Sequence, residues 1–403
     1  MTGFSASRLQ RLDDALKAYI DRSEVPGLVA LVAHGDAVHV TAAGAQDLAT
    51  SVPMARDTIF RIASMTKPVA AAAAMILVEE GKLRLDEPVE RLLPELANRR
   101  VLRTLASKLD DTVPANRAIT LRDLLTFRCG FGAVMAMPGT YPIQKAMSDA
   151  GFAPGPRAAD FPPDEWIARF AELPLVAQPG ESWLYHTGSD ILGVLIARAA
   201  CQPFDAFLAE RIFAPLGMKD TGFHVPADKI GRLATSYMID RASGQLAVYD
   251  AGQGGRWSQP PVFASGGGGL VSTVDDYLIF ARMMLNGGRH GGERVLSRAT
   301  VELMTTDQLL PAQKAASPFY PGFWDSHGWG LGLSVTTARH GYLSVGAYGS
   351  DGGLGTSFRN DPKEGLTCLL LAQRMMRSPV PEAIYTDIWG LTYQALDDRT
   401  VAD

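Results

Sequence analysis

Cysteine is scarce in this chain of 403 residues, which contains only Cys129, Cys201 and Cys368. Three widely separated thiols match neither a disulfide framework nor the ligand spacing of a zinc site. We therefore expect free thiols in a reducing compartment and no bound metal. No cysteine stands in a recognisable active-site context, and a thiol nucleophile stays open only as an alternative.

Long hydrophobic runs and an excess of one charge are also lacking. The longest apolar stretch, residues 69–78, ends at Glu79-Glu80 and is far shorter than the roughly 20 residues that span a bilayer. The first eight residues carry no export-signal pattern. The net charge is −5 and the basic residues are scattered, which disfavours nucleic acid as a partner. We expect a cytoplasmic protein with a small-molecule substrate and no membrane or nucleic-acid partner; the oligomeric state is not predicted.

Two common catalytic and binding motifs are absent. No Gly-x-Ser-x-Gly occurs, which disfavours an α/β-hydrolase. The glycine run at residues 266–269 lacks the Gly-Lys-Ser/Thr ending of a phosphate loop, and we interpret it as a turn near a site entrance. None of the seven histidines, His186 included, is paired with an evident Ser and Asp. We interpret them as surface or hydrogen-bonded structural histidines.

The composition is that of a globular protein, with 47% hydrophobic and 20% charged residues. The residue pattern predicts the following elements: helices over residues 5–22, 65–80, 274–285 and 381–396, and strands over residues 28–32, 37–42, 330–336, 342–345, 355–359 and 366–371. Short turns between the strands favour an antiparallel sheet with helices packed on it, an α+β fold. We expect a sheet domain from residues 1–84 and 226–403, interrupted by a mostly helical domain over residues 85–225.

The only Ser-x-x-Lys in the chain joins Ser64 to Lys67. Positions i and i+3 lie on one face of a helix, so the lysine amine can approach the serine hydroxyl. A serine hydroxyl needs such a neighbour to become a nucleophile. The alternative is that Ser64 merely caps the helix. A capping box, however, has Glu or Gln where Lys67 stands, and a cation in the first turn opposes the helix dipole.

The surroundings of this motif resemble a known family. Its sequence signatures occur in this order: Ser64-Met-Thr-Lys67, Leu121-Arg-Asp-Leu-Leu-Thr126, Gln178-Pro-Gly-Glu-Ser-Trp-Leu-Tyr185 and Ala214-Pro-Leu-Gly-Met218. Together they resemble the serine β-lactamases, penicillin-binding proteins and their esterase relatives, above all the class C-like family VIII carboxylesterases. The resemblance covers nearly the whole chain. It implies a β-lactamase/transpeptidase-like fold, with an antiparallel sheet flanked by helices and an inserted helical domain.

The family's second motif, Tyr-x-Asn, corresponds to Tyr185-His186-Thr187. An ammonium ion beside a phenol favours the phenolate, so we expect Lys67 to lower the pKa of Tyr185 and let it take the proton of Ser64. The alternative is an ordinary half-buried tyrosine. Thr187 departs from the family's Asn, whose amide orients an acylamide substrate.

The family's third motif, Lys-Thr-Gly, corresponds to the glycine-rich residues 348–356, for which a plain hairpin turn is the alternative. With Thr187, the resemblance makes Ser350, Asp351 and Gly352 substrate-binding residues. The family's lysine, which helps to hold a substrate carboxylate, is missing. Because Ser350 and Asp351 supply no cation, we expect carboxylate-bearing substrates to bind poorly and uncharged esters to be preferred.

The motifs together predict a serine carboxylesterase that works without metal or organic cofactor. Ser64 is the expected nucleophile and Lys67 with Tyr185 the acid–base pair, although which of the two accepts the first proton is open. The resemblance implies an oxyanion hole made by the backbone N–H groups of Ser64 and Gly353. The alternatives are a β-lactamase, a D-amino-acid peptidase or amidase, an acyltransferase, and an inactive binding domain.

A long segment without clear periodicity, residues 133–163, is expected to cover the site. Its apolar side chains Met135, Met137, Tyr141 and Phe152 are predicted to form an acyl or alcohol pocket. Short- to medium-chain esters are therefore the expected substrates.

Overall fold

The computed structural model describes residues 3–156, 159–317 and 319–397. The strands are, in chain order, β1 (Gly27–His34), β2 (Ala37–Gly44), β3 (Phe60–Arg61), β4 (Arg100–Leu102), β5 (Thr112–Pro114), β6 (Ser236–Ile239), β7 (Leu246–Asp250), β8 (Val271–Ser272), β9 (Arg289–His290), β10 (Glu293–Arg294), β11 (His327–Trp329), β12 (Ser334–Thr336), β13 (Tyr348–Gly352), β14 (Thr356–Asp361) and β15 (Leu366–Ala372).

The helices are, in chain order, α1 (Ala6–Asp21), α2 (Thr66–Glu79), α3 (Leu121–Leu125), α4 (Pro142–Asp149), α5 (Pro163–Glu172), α6 (Thr187–Ala200), α7 (Phe204–Leu208), α8 (Ala214–Leu216), α9 (Val274–Leu285), α10 (Arg298–Met304), α11 (Pro311–Ala315), α12 (Phe323–Ser326) and α13 (Ala383–Ala395). None of the described helices is by itself long and apolar enough to cross a membrane. One pair of consecutive helical segments, Thr187–Ala200 and Phe204–Leu216, is long and apolar enough only when the two are taken together, and they meet at an angle of 79°.

The centre of the fold is a seven-stranded antiparallel sheet with the order β11-β12-β13-β14-β15-β1-β2. Strand β1 pairs with β2 on one side and with β15 on the other, which joins the first hairpin to the late strands. This confirms the predicted α+β architecture and its antiparallel sheet.

Helices cover both faces of the sheet because its central strands are apolar on both faces. In β1, Leu28, Ala30 and Val32 belong to a cluster with α1 and α13, whereas Val29 and Leu31 belong to the main core on the opposite face. Successive side chains of a strand point to opposite faces, so one apolar run serves two layers. The first and last predicted helices thus pack together on one side of the sheet.

Helix α2 runs through the main core, and its residues from Thr66 to Leu77 are all buried. Its alanine run, residues 70–74, lets neighbours approach closely, and it packs against α6 from the predicted helical domain. The main core therefore extends through both predicted domains, and the division between them remains a prediction. Burying α2 fixes the residues at its start, which include the Ser-x-x-Lys motif.

The late strands differ in detail from the sequence prediction. Residues 342–345 form turns with Tyr342 and Val345 exposed, so the strand predicted there is wrong. The strand lies at β13 instead, β11 was not predicted, and only residues 334–336 of the predicted 330–336 run are extended. A turn at Gly332, with φ of +78°, ends the extended conformation before Ser334.

The segment 133–163 contains α4, whose Ile143 and Met147 are buried four residues apart. The sequence does not predict this helix, because only these two apolar residues show the helical spacing. Residues 157 and 158 of the same segment lie outside the described residues.

Candidate active site

Ser64 lies in a short 3-10 turn, Ala63–Met65, between β3 and α2. The residue before it, Ala63, has φ of +44°, in the left-handed region that residues with a side chain rarely adopt. Two hydroxyls of the sheet hold this turn, because Ser350 Oγ donates to Ser64 O at 3.0 Å and Thr356 Oγ1 donates to Ile62 O at 3.0 Å. The sharp turn presents the Ser64 hydroxyl to a cavity.

Lys67 is buried in the first turn of α2, and its Nζ donates to Ser64 Oγ at 2.8 Å. It also donates to the carbonyl of Gly267 and lies 3.2 Å from Nδ1 of His186. Burial lowers the pKa of Lys67 to about 7, while the negative charge of Asp190 raises it in part. The alternative that Ser64 only caps the helix is wrong, since no side chain caps the start of the 3-10 turn or of α2.

Tyr185 approaches the same two residues from the opposite wall. It lines the cavity together with Ser64, and the Lys67 Nζ is 4.7 Å from its ring centroid. Burial raises the pKa of Tyr185; the hydrogen bond to Ser64 lowers it, and the charge of Asp351 raises it further. The expected lowering by an ammonium is therefore wrong in direction, because the loss of solvation is the largest effect.

The sequence predicts that His186 is a surface or hydrogen-bonded structural histidine, and the structure places it in the cavity wall with polar partners. Its backbone has φ of +90°, which turns the ring toward Lys67 just before α6 begins. Its Nε2 lies 3.4 Å from Oδ2 of Asp190. The other carboxylate oxygen, Oδ1, accepts from Ser265 Oγ at 2.6 Å and from Gly267 N at 3.0 Å. This arrangement favours the tautomer with Nε2–H, whose Nδ1 accepts from Lys67. A signal existed in the sequence, since residues 186 and 190 are four apart at a helix start.

The glycine run at residues 266–269 wraps around this group. A side chain at Gly267 would meet Cε1 of His186 at 3.0 Å and Oδ1 of Asp190 at 3.1 Å. The run thus supplies the carbonyl that binds Lys67 and leaves space for the imidazole.

Strand β13 and the turn that follows it carry the residues of the predicted third motif, but not all of them reach the cavity. Ser350, Asp351 and Gly353 line it. A side chain at Gly352 would lie 2.4 Å from Ile62 O, so this residue packs against the turn before Ser64 and is not part of the wall. At Gly353 a side chain would meet open space, which leaves room for a substrate near its backbone.

Thr187, predicted to bind substrate, is buried in the first turn of α6 and is not among the described residues that line the cavity. Sequence reasoning also missed Arg359, which lines the cavity from β14. Its approach to Asp351 depends on how β13 pairs with β14, which a linear pattern does not reveal.

The cavity above Ser64 has a volume of about 450 Å³ and mostly apolar walls. Of the predicted pocket residues only Met135 lines it, together with neighbouring residues 154–156 of the same segment. Met137 is exposed, and Phe152 is buried against Trp166 instead. The walls are completed by aromatic side chains: Phe319, Tyr320, Phe323, Trp329 and Trp389. A larger cavity of about 750 Å³ around Phe204 and Phe223 lies away from this site.

The three thiols do not reach the cavity. Burial raises the pKa of Cys129 and of Cys368 to about 12, and Cys201 is exposed elsewhere. These positions disfavour the thiol alternative. In the described part of the chain no group of three or more His, Cys, Asp or Glu side chains could hold a metal ion.

A serine and a buried lysine at the start of a central helix, facing a tyrosine and an antiparallel sheet, define the class of serine hydrolases that use Ser-x-x-Lys. Comparison with known proteins agrees: residues 12–388 match the Beta-lactamase family, and the chain belongs to it.

Two relatives resemble the chain in sequence, and one solved structure shares its fold. Protein Rv1367c of Mycobacterium tuberculosis (strain ATCC 25618 / H37Rv) is 41% identical over 366 residues, which cover 89% of this chain and 88% of that protein. Esterase EstB of Burkholderia gladioli is 34% identical over 294 residues, or 69% of this chain and 71% of EstB. The structure of EstCE1, described as a hydrolase with promiscuous acyltransferase activity, aligns with a TM-score of 0.81 at 24% identity and covers 96% of this chain and 98% of that chain. At that identity the likeness shows the fold alone.

Proposed function

We propose that the protein is a carboxylesterase that hydrolyses uncharged, short- to medium-chain esters through an acyl-enzyme on Ser64. The observation that carries the proposal is the 2.8 Å hydrogen bond between Lys67 Nζ and Ser64 Oγ at the floor of a largely apolar cavity. The esterase activity named for EstB supports an ester as the substrate class.

Neutral Lys67 is the general base of acylation in this proposal. A pKa of about 7 leaves a large share of the amine unprotonated at neutral pH, whereas the raised pKa of Tyr185 keeps its phenol protonated. Ser64 Oγ attacks the ester carbonyl carbon and its proton passes to Lys67 Nζ. The oxyanion that forms accepts hydrogen bonds from the backbone N–H groups of Ser64 and Gly353.

Collapse of this intermediate breaks the bond to the alcohol. Tyr185 donates its hydroxyl proton to the leaving oxygen and regains a proton from the Lys67 ammonium. Water then attacks the acyl carbon and gives its proton to Lys67, the carboxylic acid departs, and the proton returns to Ser64 Oγ. Every proton taken up is returned within one turnover.

The surroundings of Lys67 suit a group that gains and loses a proton repeatedly. A neutral amine accepts from Ser64 and donates twice, to Gly267 O and to His186 Nδ1; an ammonium donates to all three. Neither state leaves a buried amine hydrogen without an acceptor, so a proton can pass between Ser64 and Lys67 without rearrangement of the lysine side chain.

The walls of the cavity support uncharged esters of limited size. Its volume lies in the usual range of small-molecule sites. Met135 and the aromatic side chains of the wall offer apolar contact to an acyl chain or an alcohol.

The proposal is tested by the hydrolysis of p-nitrophenyl butyrate. We expect wild-type turnover and its loss by about 10³-fold or more in Ser64→Ala, because the variant lacks the nucleophile. Ser7→Ala, a substitution of an exposed serine on α1, serves as the matched control and should keep wild-type rates. Undiminished turnover in Ser64→Ala would refute the proposal.

Parallel assays separate the alternatives. Faster turnover of a chromogenic cephalosporin than of the butyrate would favour a β-lactamase. Product release that accelerates with an added acceptor alcohol would favour an acyltransferase, and labelling of Ser64 without turnover would favour a binding domain.

A further inference from the structure

Asp351 and Arg359 form an ion pair in the wall of the catalytic cavity. The pair joins neighbouring strands, with Arg359 Nη2 donating to Asp351 Oδ2 at 2.7 Å. Asp351 Oδ1 also accepts from Ser357 Oγ at 2.7 Å. Arg359 is held from two further sides, because Nη1 donates to Phe358 O at 2.7 Å and the guanidinium lies 4.5 Å from the Trp389 ring centroid.

Among the described residues of the cavity wall, these two supply the charge that a bound substrate would meet. Burial lowers the pKa of His186, and it lowers the pKa of His327 to about 4, so both imidazoles are neutral at pH 7. Of the described residues that line the cavity, Asp351 and Arg359 are then the charged ones, and their charges cancel. The side chain of Asp351 is 22% exposed and that of Arg359 only 7%, so the carboxylate is the more accessible partner.

We propose that Asp351 determines the preference for uncharged esters by neutralising Arg359 and by presenting its own carboxylate to the cavity. The sequence suggested that the site lacks a cation. Arg359 supplies one from the adjacent strand, and Asp351 suppresses it. Removing the charge of Asp351 therefore converts the same wall into a binding site for a substrate carboxylate. This inference rests on the proposed esterase function and deepens it.

Asp351→Asn removes the charge and keeps the shape. The amide can turn its oxygen to Arg359 and its nitrogen to the hydroxyl of Ser357, so both hydrogen bonds of the wild type have counterparts. Arg359 then keeps an uncompensated charge that a substrate carboxylate can pair with.

The test compares kcat/KM within two pairs of substrates of matched size. One pair carries the charge on the acyl side, p-nitrophenyl hexanoate and mono-p-nitrophenyl adipate. The other carries it on the alcohol side, 4-carbamoylphenyl and 4-carboxyphenyl hexanoate. For the wild type we expect the uncharged member to be preferred in both pairs. In Asp351→Asn the ratio of charged to uncharged substrate should rise by about tenfold or more in at least one pair, since a charge-assisted hydrogen bond is gained.

Two matched variants accompany the measurement. Asp351→Glu keeps the charge and should keep the wild-type preference. Asp275→Asn removes one surface carboxylate from α9, next to Arg56, and controls for the change in net charge. A shift in Asp351→Asn no larger than in Asp275→Asn would overturn the inference.

If Asp351→Asn fails to fold, the wild-type enzyme alone still tests the inference. Equal kcat/KM for the charged and uncharged members of both substrate pairs would overturn it. A wild type that hydrolyses none of the four esters would instead contradict the proposed function, so the two failures are distinct.

Discussion

The amine of Lys67 illustrates how single residues set the chemistry of this site. Burial favours its neutral form, and the carboxylate of Asp190, which lies behind His186, favours the ammonium. Burial alone would raise the pKa of Asp190, but hydrogen bonds from His186, Ser265 and Gly267 lower it overall and keep it charged. The balance between these opposing effects holds the Lys67 pKa near 7, where a general base is most useful.

This balance makes the pH profile of hydrolysis predictable. Neutral Lys67 is the active form, so kcat/KM for p-nitrophenyl butyrate should rise with pH through a midpoint near 7 and then level off. Asp190→Asn removes the charge that raises the Lys67 pKa, and the midpoint should move to lower pH. The measurement is the pH dependence of kcat/KM for both proteins, with Asp275→Asn as a surface control that should keep the wild-type midpoint. A midpoint that stays fixed or moves upward in Asp190→Asn would contradict this account.

At the level of elements, β13 connects the sheet to the nucleophile. Its Ser350 hydroxyl donates to the backbone of Ser64, and its Asp351 carboxylate forms part of the cavity wall. Gly352 then brings the strand against Ile62, two residues before Ser64. A single strand therefore positions the turn of the nucleophile and contributes to the substrate wall.

Gly352 lies so close to Ile62 that a single added methyl group should disturb the contact between β13 and the nucleophile turn. In Gly352→Ala the added carbon would lie 2.1 Å from Thr356 Oγ1 and 2.4 Å from Ile62 O, so the backbone has to move. We expect a loss of about 1–3 kcal/mol in the free energy of unfolding and a lower kcat, measured by urea denaturation and by ester hydrolysis. Gly231→Ala, where a methyl group meets open space, is the control. Equal stability and rate in the two variants would show that the contact is not needed.

Features of the site that depend on residues close together in the sequence could be predicted, whereas features that depend on distant residues could not. Ser64 and Lys67 were found because their approach needs only the i, i+3 geometry of one helix. The contact between Asp351 and Arg359 was not found, because it depends on the register of two strands. The pKa of Tyr185 was predicted with the wrong sign, because burial is a property of the folded core rather than of neighbours along the chain.

For the whole molecule, the site depends on contacts between distant parts of the chain. Arg61, three residues before Ser64, forms an ion pair with Asp250 at 2.5 Å, with side chains only 2% and 5% exposed. Arg61 also donates to Ala234 O at 2.6 Å and to Ala251 O at 2.8 Å. This buried pair joins the strand that leads into the nucleophile turn to the segment that follows the predicted helical domain.

Breaking this pair should therefore cost far more than breaking a surface pair. Asp250→Ala leaves the Arg61 guanidinium buried without its carboxylate, and we expect the free energy of unfolding to fall by about 3–5 kcal/mol. The matched control is Asp275→Ala, whose partner Arg56 is 56% exposed and whose loss should cost about 0–1 kcal/mol. Urea denaturation of both variants measures the difference. The double variant Arg61→Met/Asp250→Ala removes the unpaired charge and should recover part of the loss; a cost in Asp250→Ala as small as in Asp275→Ala would mean that the pair does not hold the two segments together.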